Sequence, residues 1–139
     1  MKIDKILIAG VIGGLAALII GFLIFGIGLA SFFEANGGGA TNVRKGEAEF
    51  MWVPLVLGHI TLGLLFAYVF GRWANISTFS TGAQVGAIMG FLIAATYHLI
   101  NFATTNLMNL TGTIVNILVG TIFMALIAGI VAMILGRTK

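Results

Sequence analysis

Hydrophobic positions along this chain fall into four blocks, Ile6 to Phe33, Met51 to Phe70, Gly82 to Phe102 and Thr111 to Leu135, and none contains an Asp, Glu, Lys or Arg. A helix rising ~1.5 Å per residue needs about 20 such residues to cross a hydrocarbon layer roughly 30 Å thick. The pattern predicts an all-α polytopic membrane protein, with four transmembrane helices in an antiparallel bundle and a single domain over residues 1–139. The first block is far longer than the ~7–15 residues of a signal-peptide core, so it is read as a retained first span.

The segments between the blocks predict how the spans are joined. Glu34 to Phe50 is the long connection, and its Gly37-Gly38-Gly39 triplet reads as a flexible hinge because glycine lacks a side chain to restrict its backbone. Trp52 and Trp73 lie about 21 residues apart, roughly 31 Å along a helix, as expected of one interfacial anchor at each face. Pro54, the only proline, falls in the first turn of span two, where its missing N–H costs little. Hydroxyls among Ser77 to Thr81 can cap span three, and Asn109 or Thr111 can cap span four.

Helices in lipid gain little from burying apolar surface on one another, so association depends on close backbone approach and a few hydrogen bonds. Gly82, Gly86, Gly90 and Ala94 recur at every fourth position of span three. Gly14, Gly21 and Gly28 keep near one face of span one, where Gly13 and Gly26 add small residues on other sides. Such surplus predicts a homo-oligomer or docking with other membrane subunits, besides the lipid bilayer itself.

Composition sharpens the picture chiefly by exclusion. Hydrophobic residues make up 60% of the chain and charged ones 8%, against ~25% charged in soluble domains. Cysteine is absent, which removes disulfides, thiolate metal ligation and thiol nucleophiles. The net charge of +3 is scattered along the chain, so no nucleic-acid partner is expected. Its value is topological: Lys2, Lys5, Arg72, Arg137 and Lys139 flank one end of the spans, and Arg44 and Lys45 stand alone at the other. That asymmetry places both termini in the cytoplasm.

Four polar residues within the spans make the candidate chemistry. From the expected helix ends, His59 lies roughly 12 Å, His98 roughly 6 Å and Asn116 roughly 8 Å below the outer surface. Asn101 shares a face of span three with His98, so His59, His98, Asn101 and Asn116 are predicted to form an inward-facing site in the outer half of the membrane, with Tyr97 and Thr61 nearby. Three readings compete: interhelical hydrogen bonds, a small-solute or proton-linked pathway, and a bis-histidine haem b. No metal site is expected. No catalytic residue is expected either, because a nucleophile with an oriented base or a set of metal ligands is not legible. The sequence therefore points to a non-enzymatic accessory or packing subunit, with transport as the alternative.

The stretches Phe70-Gly71-Arg72-Trp73-Ala74, Gly86-Ala87-Ile88-Met89-Gly90 and Ala103-Thr104-Thr105-Asn106-Leu107-Met108-Asn109-Leu110-Thr111 carry an overall resemblance. They are similar to small four-span bacterial integral-membrane proteins of unknown function. The resemblance implies a bacterial inner (cytoplasmic) membrane location and no particular activity.

Overall fold

The computed structural model describes residues 1–138, apart from the side chain of Glu47. Lys139, one of the basic residues used above for topology, lies outside them. Helix α1 spans Ile3–Gly21 and runs on as a π-helix over Phe22–Gly28, and a short α2 follows at Ala30–Ala35. Helix α3 spans Trp52–Tyr68 with a π-wound end over Val69–Ala74, α4 spans Phe79–Thr104 and α5 spans Leu110–Arg137. Four of these helical stretches, Ile3–Gly28, Trp52–Ala74, Phe79–Thr104 and Leu110–Arg137, are long and apolar enough to cross a membrane. They pack as an antiparallel helical bundle.

The first apolar block is divided. Leu29 leaves helical geometry at φ −116° and ψ 10°, after a wide turn in which its N–H donates to the Ile24 carbonyl at 2.8 Å. Gly26 and Gly28 lie in this stretch, and each weakens an α-helix by about 1 kcal/mol relative to alanine. The wider winding leaves Phe25 edge-on to Phe123 at 5.8 Å and 6.1 Å from Phe33. At the other π-wound end, Asn75 adopts the left-handed conformation (φ 51°), and the Ile76 N–H reaches back to the Phe70 carbonyl at 3.1 Å.

Helix α5 is the centre of the bundle. Its Ile127, Val131 and Leu135 are fully buried with Ile6 of α1 and Phe66 and Phe70 of α3. Helices α1 and α3 pair closely because glycine lets their backbones meet. A Cβ at Gly63 would strike the Gly10 carbonyl and the Gly14 backbone, and one at Gly10 would lie 2.9 Å from Leu64 Cα. Helix α4 lays its Gly82, Gly86, Gly90 and Ala94 face on α5, where a Cβ at Gly90 would sit 2.6 Å from Met124 Cβ. It packs along α5 alone and has at most grazing contact with the other spans.

Of the small residues expected to be surplus, Gly13 faces Val131 of α5, whereas Gly26 is exposed beside the ring of Phe22 of its own helix. Gly14 and Gly21 do lie between helices, but a Cβ at Gly28 would meet only the Leu23 carbonyl of its own turn, at 3.1 Å. Gly28 therefore packs no helix; the break after it takes the chain away from its former axis.

The connections hold both ends of the bundle. Thr78 Oγ1 accepts from the Thr81 N–H at 3.3 Å at the start of α4, and Asn109 Oδ1 accepts from the Gly112 N–H at 2.8 Å at the start of α5. Asn109 also donates to Asn36 Oδ1 at 3.2 Å, tying α2 to α5. Contrary to the flexible hinge expected, the glycine triplet begins as part of this tie. The Gly38 N–H donates to Leu107 O and the Ala40 N–H to Asn106 O, both at 3.1 Å. No glycine has a positive φ, and a Cβ at Gly38 would run into the Asn106 carbonyl. Close approach, rather than backbone freedom, makes glycine necessary there; within the triplet only Gly39 has open space around it. At the opposite end Lys5 Nζ donates to the Thr138 carbonyl, and Gly71 packs on Ile6.

Candidate functional site

The four polar residues are distributed over different surfaces. His59 Nδ1 is 2.8 Å from the Leu55 carbonyl; the carbonyl can only accept, so Nδ1 carries the proton. Its Nε2 reaches up to α1, 3.0 Å from where a Gly21 Cβ would stand. His98 is half-buried on α4 and touches the ring of Tyr97, with centroids 5.1 Å apart. Asn101 donates to the Tyr97 carbonyl of its own helix at 2.8 Å. Asn116 makes a long contact, 3.7 Å, to Met108 Sδ. Among the described residues no hydrogen bond joins any two of the four.

The reason lies in the layout of the spans. Helix α3, carrying His59, and α4, carrying His98, each pack on α5 and at most graze one another. A haem ligated by both imidazoles needs their helices to face each other across the ring, so this pair does not fit that group. Thr61, expected beside the site, instead donates to Leu57 O at 2.8 Å on an exposed face. Tyr97 and Asn101 line a shallow apolar depression on α4 with Leu92 and Ile100.

What the structure does build around His59 is a groove of about 1070 Å³ between α1 and α3. Its floor is His59 with Gly21 and Phe123, and its α1 wall includes Phe22, Leu23 and Gly26. The sealed glycine contact ends just below this level. Above it span one winds as a π-helix. The long connection returns over the opening and sets Arg44, Lys45 and Phe50 at the rim. Lys45 Nζ rests 3.1 Å from Met51 Sδ, a weak acceptor, and Phe50 stacks edge-on to Trp52 at 4.9 Å. Among the described residues neither Arg44 nor Lys45 has a carboxylate partner.

This groove was not anticipated from sequence, although one signal pointed to it. Arg44 and Lys45 are the lone basic pair on their side of the spans and sit a few residues before an interfacial tryptophan. The contribution of Phe123, distant in sequence, had no such mark. No family model, curated protein or solved structure matches the chain, so the resemblance to four-span bacterial proteins gains no support beyond its own residues. Among the described residues no group of three or more His, Cys, Asp or Glu is placed to hold a metal ion.

Proposed function

We propose that this protein is a non-enzymatic accessory subunit of a bacterial cytoplasmic-membrane assembly, docking through α4. The observation that supports this reading is the one-sided packing of α4. Its small residues face α5, while Ile88, Leu92 and Tyr97 on other faces are 64%, 59% and 62% exposed. A span in a bundle ordinarily has two helical neighbours, and α4 has a side free for a helix of another subunit. Because lipid and protein are equally apolar there, the partner must be chosen by fit rather than by hydrophobicity.

Both termini are proposed to be cytoplasmic. Support comes from Lys2, Lys5, Arg72 and Arg137 gathering at one end of the bundle, where Lys5 meets Thr138 and Gly71 meets Ile6. The dispersal of His59, His98, Asn101 and Asn116 lends no support to a transport pathway through them.

A photo-crosslinking side chain at Leu92 or Ile88, in native membranes, tests the docking. The expected result is a defined protein adduct from these α4 positions and none from the equally exposed Ile122 on α5. Adducts to lipid alone at all three positions, with monomer recovered in mild detergent, would overturn the proposal.

A further inference from the structure

We propose that the groove between α1 and α3 binds an anionic phospholipid from the leaflet on the Trp52 side. Arg44 and Lys45 hold its headgroup, and one acyl chain lies along Phe22 and Leu23 towards Phe123. The walls explain admission but not choice. A chain moving from the bilayer into the groove exchanges one hydrocarbon setting for another, so the apolar lining has little preference among lipids. Selection must come from the rim. There Arg44 and Lys45 line the opening, and Lys45 leans on a thioether. Among the described residues they are also the only basic ones at that end of the spans.

The rim sets the direction of the bound molecule. Arg44 and Lys45 line the opening, whereas the interior is walled mostly by apolar side chains such as Leu18, Phe22, Leu23 and Phe123. An anionic head is therefore held at the rim and a methylene chain is accepted inside. The volume of about 1070 Å³ lies just above the ~300–1,000 Å³ range of small-molecule sites, enough for a headgroup and part of a chain. Phe50 and Trp52 at the rim lie where aromatic rings favour the headgroup level.

The site is on the other side of the bundle from the α4 face, so its failure would leave the docking proposal intact. The test uses the full chain in nanodiscs containing phosphatidylglycerol and phosphatidylcholine, with lipid retention read by native mass spectrometry. Preference for phosphatidylglycerol is expected to fall about 5-fold in Arg44→Gln or Lys45→Gln and about 30-fold in the double variant. Both positions are in an exposed loop, so folding is not at stake. A phosphatidylglycerol with a photoreactive tail is expected to label span one near Leu23 and to be competed by unlabelled phosphatidylglycerol only. Equal retention of the two lipids, a double variant that keeps its preference, or labelling as strong at Leu92 as at Leu23 would each overturn the proposal. Protection by inorganic phosphate alone would reduce the site to a bare anion contact and overturn it as well.

Discussion

The α1–α3 pair behaves differently in its two halves. Below the level of His59, Gly10, Gly14 and Gly63 bring the backbones into contact; above it, the same two helices part to form the groove. Both halves are apolar, so hydrophobicity does not account for the difference. Closure follows the absence of side chains on facing positions, and opening follows the π-winding of Phe22–Gly28 and the break at Leu29. In a solvent as apolar as the helices, shape alone decides where two spans touch.

That contrast is most severely tested by Gly63→Ala. Its new methyl would meet backbone atoms of Gly10 and Gly14, which cannot rotate away. A loss of about 3 kcal/mol is expected, the upper end for overpacking, measured by thermal unfolding in detergent micelles. Unchanged stability would mean that α1 and α3 are not in backbone contact.

Gly86→Ala extends the comparison to the α4–α5 ridge. There the added methyl meets the Ala128 side chain and the α5 backbone, and a loss of about 2 kcal/mol is expected. Because part of that clash is with a side chain, the double variant Gly86→Ala, Ala128→Gly should regain a substantial share of the loss. A double-mutant cycle showing simple additivity would contradict the contact.

Asn109→Ala removes the α5 cap and the side-chain bond to Asn36 Oδ1, while the Asn109 N–H keeps its bond to Asn36 O. About 1–2 kcal/mol is expected for this change, more than for Thr78→Ala, whose cap bonds remain near α4's own first turn. Hydrogen exchange at Gly38 and Ala40 should rise in the first variant alone; equal exchange in both would separate the tie from the cap.

The smallest effect is expected from Gly58→Ala, five residues before Gly63 on the same helix. With nothing within 4 Å of the added methyl, it should stabilise by about 0.5–1 kcal/mol through reduced chain entropy. Destabilisation here would show that this exposed face of α3, which does not line the groove, is packed after all.

Much of the architecture was legible from local pattern. Charge-free blocks located the spans, Asn109 and Thr78 were readable as caps, and the four-residue spacing from Gly82 to Ala94 marked a close-packing face. Less legible were the consequences of pairing. Gly37 and Gly38 look like a hinge until the loop around Asn106 and Leu107 is set beside them. Gly28 has the spacing of a packing glycine but ends a stretch where the helix has changed its winding. The polar residues were placed together on depth along each helix, and depth carries no information about which helices are neighbours.

Sequence by itself determined residence in a membrane and the number and order of the spans, because solvation of charge and helix rise depend on each segment alone. It also determined which faces can approach closely, since a missing side chain is a property of the residue. Tertiary structure decided which spans meet: α5 at the centre, α4 beside it alone, and His59 directed to α1 rather than to His98. Four apolar helices can be arranged in several ways at similar burial, and only the mutual fit of their surfaces selects among them.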